Sequence, residues 1–285
     1  MAAERIVHLS PGGPSWPAAL ANIDAPPEAL WLRGRGELLE LDTWVAVVGT
    51  RSPSPYGAAQ AARFARAFAA AGVGVVSGLA RGVDQAAHEA VLEARGATLA
   101  VLGSGVDRPW PAGPLAERMA REGALLSEFE PGTSPRRHHF PRRNRLISGL
   151  ARAVVVIEAA WASGSLITAR WAADQGRAVF ALPGRVDHPM ARGCHRLLRE
   201  GASLVEDPEE VLADLGLGAG RAPVGGPGEP AEEGPLLTAL RGETLGADEL
   251  AARTGRELGD LLTELVTLEL EGRVTRGPGG LWRRS

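Results

Sequence analysis

Between residues 43 and 184 the chain alternates short apolar runs with longer stretches whose apolar residues recur every three or four positions. TWVAVVGT (43–50), VGVVSG (73–78), ATLAVLG (97–103), GALLSEF (123–129), ARAVVVIEAA (151–160) and RAVFALPG (177–184) are predicted strands. A helix is predicted from about Gly57, with Ala61, Phe64, Ala65 and Phe68 on one face. A second covers 83–96, with Val83, Ala86, Ala87, Ala90 and Val91 on one side and Gly96 as its stop. A third covers 165–176. Strands that are apolar on both faces and separated by helices predict an α/β fold: a Rossmann-like, mostly parallel sheet with helices on both faces. Right-handed crossovers would bring all strand-to-helix loops to one edge, where ligands bind.

The pattern stops at GLGAGRAPVGGPGEPAEEGP (216–235), which has no apolar period and reads as a flexible linker. The tail resumes with short helices at 236–242 and 247–255. A longer helix follows at 256–272, with Leu258, Leu261, Leu262, Leu265 and Leu268 inward. Two short strands around a Pro-Gly-Gly turn (273–284) complete a winged-helix order. The expected organisation is a short N-terminal segment (1–43) packed on a main domain (44–215), the linker (216–235) and a winged-helix-like domain (236–285).

Composition narrows the function classes. All 31 basic residues are arginine, and net charge is −3, so nucleic-acid binding requires a local basic patch. The single cysteine, Cys194, forms no internal disulfide, and beside His195 it falls short of a zinc site. With no signal-peptide core and no long apolar segment, a cytoplasmic protein without membrane association is expected.

Three loops follow predicted strands and open helices: GTRSPSPYG (49–57), SGLARGVD (77–84) and ASGSLITA (162–169). Their small residues allow close backbone approach, and helix-start amides there suit phosphate. Arg51 and Arg81 add charge. The most distinctive stretch is PRRHHFPRRNRLISGLAR (135–152), where no Asp or Glu occurs between Pro131 and Ile157. Phe140 within this arginine run suits stacking on a base, with a core position as the alternative. His138 and His139, in an extended segment, point apart and read as polar loop residues rather than metal ligands. The sequence has no P-loop, GxGxxG after the first strand, or GxSxG elbow. Asp84, Glu128 and Glu158 are isolated acids, and Asp84 suits the start of a helix.

GTRSPSPYG, VVSGLARGVDQAAH, AVLGSGVD, SEFEPGTSPRRHHFPRRNRLISGLA, VVIEAAWASGSLITARWAADQGRAVFALPG and REGASLVEDPEEVL stand in the order and nearly the wording of the DNA-processing protein A family (DprA, also called Smf). The resemblance runs from about Trp16 to about Leu215, and the tail resembles that family's winged-helix domain. It implies a homodimer without cofactor or catalysis that binds incoming single-stranded DNA in natural transformation and delivers it to the RecA recombinase. Carried over by motif, the DNA-binding residues are Gly49, Thr50, Arg51, Ser77, Gly78, Arg81, Arg137, Phe140, Arg142, Arg143, Asn144, Arg145, Ser163, Gly164 and Ser165. Gly49-Thr50-Arg51 replaces the family's usual Gly-Ser-Arg, and His195 stands where Asn is frequent. Analogy also makes 197–215 a candidate dimer surface.

Two other readings stay open. Phosphoribohydrolases of a related fold resemble a PGGxGTxxE pattern, but ASGSLITAR lacks the acid. A winged-helix transcription regulator would need a basic tail, yet residues 229–285 hold seven Arg against eleven Asp plus Glu. If about five arginines meet phosphate, a log–log salt slope near −3.5 is expected, flattened by Arg143→Ala. Deleting 230–285 is expected to leave single-strand affinity largely intact.

Overall fold

The computed structural model describes residues 6–217, 234–240, 242–270 and 272–284. The chain divides into two units, 1–221 and 222–285. Most of the expected linker lies outside the described residues.

The first unit is built on one nine-stranded sheet. Its parallel strands are β3 (Trp44–Val48), β4 (Gly74–Ser77), β5 (Thr98–Val101), β6 (Ala124–Ser127), β7 (Ala153–Val156), β8 (Ala178–Ala181) and β9 (Ser203–Leu204). Two further strands extend it: β2 (Leu30–Gly34) pairs antiparallel with β6, and β1 (Ile6–Leu9) antiparallel with β2, giving the order β1-β2-β6-β5-β4-β3-β7-β8-β9. The segment before residue 44 therefore extends the sheet instead of only packing on it. It escaped the sequence pattern because β1 and β2 are short and lie among Pro and Gly residues. β3 is the switch point: the chain proceeds outward through β4, β5 and β6, then returns to β3's other side with β7.

Alternation along the central strands serves two cores. Ala46, Val48, Val154 and Val156 face one layer, packing with Leu146, Ile147 and Leu150. Val45, Val47, Ala153 and Val155 face the other, with Phe64, Phe68 and Val91. This double burial is why the strands read as continuous apolar runs. The helices are α1 (Pro55–Ala70), α2 (Val83–Glu93), α3 (Pro114–Glu122), α4 (His139–Leu150), α5 (Ser165–Asp174), α6 (Arg192–Arg199) and α7 (Pro208–Asp214). After α2 the left-handed residue is Arg95 (φ 55°), not the expected Gly96, whose added Cβ would instead stand 2.6 Å from Ala69 Cβ.

The largest departure from expectation is α4. The arginine run is helical from His139, with Pro141 in the first turn, where a missing N–H costs nothing. Its buried face carries Arg143, Arg145, Leu146, Ile147 and Leu150. Guanidinium groups on the buried side hide the apolar period that announces a helix.

The second unit contains α8 (Pro235–Ala239), α9 (Ala247–Thr254), α10 (Leu258–Leu270) and a three-stranded sheet of β10 (Thr244–Leu245), β11 (Val274–Arg276) and β12 (Trp282–Arg284). This is a winged helix. Leu261, Leu265 and Leu268 join its core with Trp282 and Val274. Leu258 and Leu262, expected inward, face solvent, and Val266 continues their stripe at four-residue spacing.

Candidate nucleic-acid interface

The C-terminal ends of the parallel strands share one edge, and backbone hydrogen bonds fasten their loops together there. Thr50 N donates to Glu158 O at 2.7 Å, joining the loops after β3 and β7. Val83 N donates to Thr50 O at 3.2 Å, joining α2's start to the loop after β3. α4 brings its first turn to the same edge. Phe140 is half-buried, its ring over Gly103, where an added Cβ would stand 3.0 Å from Cδ1. The Arg51 guanidinium lies 5.8 Å from the ring centroid. Asn144 Nδ2 donates to Gly164 O at 3.3 Å, tying α4 to the loop before α5. The sequence-predicted segments therefore do converge.

The side chains divide sharply in their availability. Arg51, Arg81, Arg137, Arg142 and Gly164 are exposed, while Gly49, Phe140, Asn144 and Ser163 are half-buried. The remainder of the expected set is structural. Ser77 is buried and donates its hydroxyl to Val47 O at 2.6 Å. Thr50 is buried, its hydroxyl accepting from Ser52 N at 3.2 Å. Ser165 is buried, with Oγ 2.8 Å from Ser163 Oγ. Gly78 is buried against the Arg143 guanidinium, which any side chain at 78 would overlap.

Two arginines of the run must be reassigned. Arg143 is 4% exposed and donates from Nη1 to Val101 O. Burial pushes its guanidinium down to about 10, opposed by the Asp84 charge, so it remains a cation at neutral pH. Arg145, also 4% exposed, forms a fork with Glu128 at 2.7 and 2.8 Å and donates from Nε to Ala25 O at 2.9 Å. Glu128 also holds the exposed Arg142 at 3.0 Å. Neither Arg143 nor Arg145 offers its charge to solvent, because both sit on the inward face of α4.

The expected role of helix-start amides changes too. At α1, Ser54 is the N-cap and accepts from Gly57 N at 3.0 Å. Ser54 N and Oγ in turn donate to the Glu158 carboxylate at 2.9 and 2.6 Å. That carboxylate fills the space beside Gly57 so closely that no side chain fits there. At the loop after β4, Asp84 Oδ2 accepts from Gly78 N at 3.1 Å and Ala80 N at 3.2 Å. Burial raises the Asp84 carboxyl above its ordinary value, with Arg143 opposing. Internal carboxylates thus occupy places a phosphate would take in a nucleotide-binding sheet. Glu158's role was missed because Ser54 lies 104 residues away, whereas Asp84 closes a local loop that its helix-start position alone did not announce. Arg108, exposed on the loop after β5 with Nη1 3.3 Å from Ser134 Oγ, was also missed. Its position just past a strand was the available signal.

His139, expected as a polar loop residue, is buried and stacked on Phe129 with centroids 4.1 Å apart. Its Nδ1 lies 3.1 Å from Gly103 O, and burial lowers its pKa. Among the described residues, no group of three or more His, Cys, Asp or Glu is arranged to hold a metal, and no helix is long and apolar enough to cross a membrane.

Comparison with known proteins supplies the family. Protein Smf of Escherichia coli (strain K12) is 41% identical over 291 residues, covering 97% of this chain and 77% of that protein. DNA processing protein DprA of Streptococcus pneumoniae (strain ATCC BAA-255 / R6) is 42% identical over 202 residues, covering 70% of this chain and 71% of that one. The X-ray structure of DprA from Streptococcus pneumoniae matches with a TM-score of 0.70 at 40% identity, covering 74% of this chain and 75% of that one. DNA processing protein A from Helicobacter pylori, whose structure describes its single-stranded DNA binding mode, matches with a TM-score of 0.67 at 30% identity, covering 74% and 95%. Residues 220–280 match the DprA winged helix domain. With residues 8–216 matching the family model for DNA recombination-mediator protein A, the chain belongs to the DprA/Smf family.

Proposed function

We propose that this protein binds single-stranded DNA along the sheet edge without catalysis and with little sequence preference. The observation that carries the reading is a half-buried aromatic ring, Phe140, with the Arg51 guanidinium 5.8 Å from its centroid and Arg81, Arg137 and Arg142 exposed on the loops and helix of the same edge. An unpaired strand offers phosphates to the guanidinium groups and base faces to the ring. The carboxylates behind the loops favour this use over capture of a small nucleotide. The wider role is the family's: protecting incoming strands in natural transformation and passing them to RecA. The homodimer belongs to the same proposal, with residues 197–215 as its surface. In that stretch β9 is an open sheet edge and Leu204 is exposed. The winged helix takes no part in strand binding, because Asp260, Glu264 and Glu269 on α10 repel a nucleic-acid backbone.

Gel shifts with single- and double-stranded oligonucleotides of equal length across a salt series test the reading. With Arg142 paired to Glu128, three arginine–phosphate contacts, from Arg51, Arg81 and Arg137, give a log affinity against log salt slope of about −2, at roughly 0.7 per contact. Arg51→Ala should reduce its magnitude by about 0.7. Equal affinity for duplex, or a slope insensitive to Arg51, refutes the site. Phe140→Ala should weaken single-strand binding roughly tenfold with the slope retained, because it removes a stack and no charge.

A further inference from the structure

Outside this set of residues the same edge carries a second aromatic. Trp161, in the turn after β7, is 53% exposed. Two guanidinium groups of α6 lie over its ring, Arg196 at 5.3 Å and Arg192 at 6.0 Å from the centroid. The arrangement is held rigidly. Ala159 N donates to Met190 O and Gly193 N donates to Ala159 O, both at 2.7 Å, fixing the start of α6 two residues from the tryptophan. Ser163 N closes the turn on Ala160 O at 3.0 Å.

We propose that Trp161, with Arg192 and Arg196, is a second base-stacking platform for the same single strand. This rests on the reading above and extends it: the strand runs from Phe140 past Asn144 and Gly164 to Trp161. The path is short. Phe140 and Asn144 are one helical turn apart, about 6 Å along the axis. Asn144 touches Gly164, and three residues bring Trp161 within about 11 Å of that contact. An exposed indole with two cations of one helix set against it suits a base on its open face and phosphates alongside. Arg196 also pairs with Glu200 at 2.7 Å, which holds the guanidinium beside the ring.

The test uses the full chain and oligothymidylates of increasing length, with affinity and tryptophan fluorescence as readouts. Trp161→Ala should lose roughly five- to a hundredfold in affinity for oligomers long enough to span both rings, and little for the shortest that bind. Trp161→Phe should keep most of the affinity while losing part of the fluorescence quenching on binding. Arg192→Ala with Arg196→Ala should flatten the salt slope by up to about 0.7 per lost contact. Unchanged affinity for long oligomers in Trp161→Ala overturns the platform. So does a change of oligomeric state with affinity preserved, which would assign the indole to a second copy of the chain. If the wild-type protein binds no single strand at any length, the function itself has failed; if it binds and Trp161→Ala binds equally well, only the platform has.

Discussion

Replacing Arg143 by alanine should lower the stability of the α/β unit by about 1–3 kcal/mol, the range for leaving a buried polar group without its partner. The guanidinium's charge acts on Asp84, which is buried and whose carboxyl secures the amides of Gly78 and Ala80. Without it the carboxylate faces the core with two backbone donors, Val101 O loses its donor, and a void opens beside Gly78. Urea unfolding followed by far-ultraviolet circular dichroism measures the loss. Asp84→Asn in the same chain should restore part of it, since the two changes share one interaction. Single-strand affinity should also fall as the loop bearing Arg81 loses its support. The salt slope should stay near the wild-type value, because a buried guanidinium releases no counterions. A stable variant with a flattened slope would return Arg143 to the phosphate-contacting set.

Acid should destabilise the same unit through His88, by of order 5 kcal/mol when fully developed. Thr98 Oγ1 donates to Val75 O at 3.0 Å, so its lone pair is left to accept from His88 Nδ1 at 2.7 Å. Nε2 is then the unprotonated nitrogen, buried with no partner among the described residues. Protonating it places a cation in the core, so burial, with Arg143 adding to it, lowers the pKa from 6.5 to about 3. The folded value lies below the unfolded one, so the unfolded chain binds the extra proton. Stability is retained above pH 6.5 and lost as pH falls toward about 3, at roughly 1.4 kcal/mol per pH unit. Asp84, raised by burial, acts in the opposite sense: above its ordinary value the unfolded chain releases its proton first, so its contribution improves as pH falls through the raised value. Urea midpoints of the wild type and His88→Gln between pH 6 and pH 4 isolate the histidine. Equal slopes would show that His88 titrates alike in both states.

What the sequence disclosed follows from which signals are local. β3 and β7 were legible because Val45 to Val48 and Ala153 to Val156 are buried on both faces. α1 was legible because Ala61, Phe64, Ala65 and Phe68 keep helical spacing. α4 was not, because Arg143 and Arg145 stand where apolar residues would have marked the period. For the same reason the basic run overstated the charge available to a ligand: Glu128 is outside the acid-free window yet meets both Arg142 and Arg145. Loops that combine a strand end, a small residue and an arginine do lie together at one end of the sheet. Which side chains reach solvent depended on tertiary partners, and Leu258 and Leu262 of α10 show the same limit in the winged helix.

The Glu158 carboxylate at the head of α1 has a bearing on selectivity against free nucleotides. A tethered anion competes as though present at high local concentration, without the entropic penalty of capture from bulk solution. ATP and its relatives, at ordinary metabolite levels, gain little by trying to displace it. A polymer does not need that seat, since it gathers many weak ionic contacts along the rim at once. On the proposed single-strand reading, the protein should be indifferent to monomers and responsive to chain length.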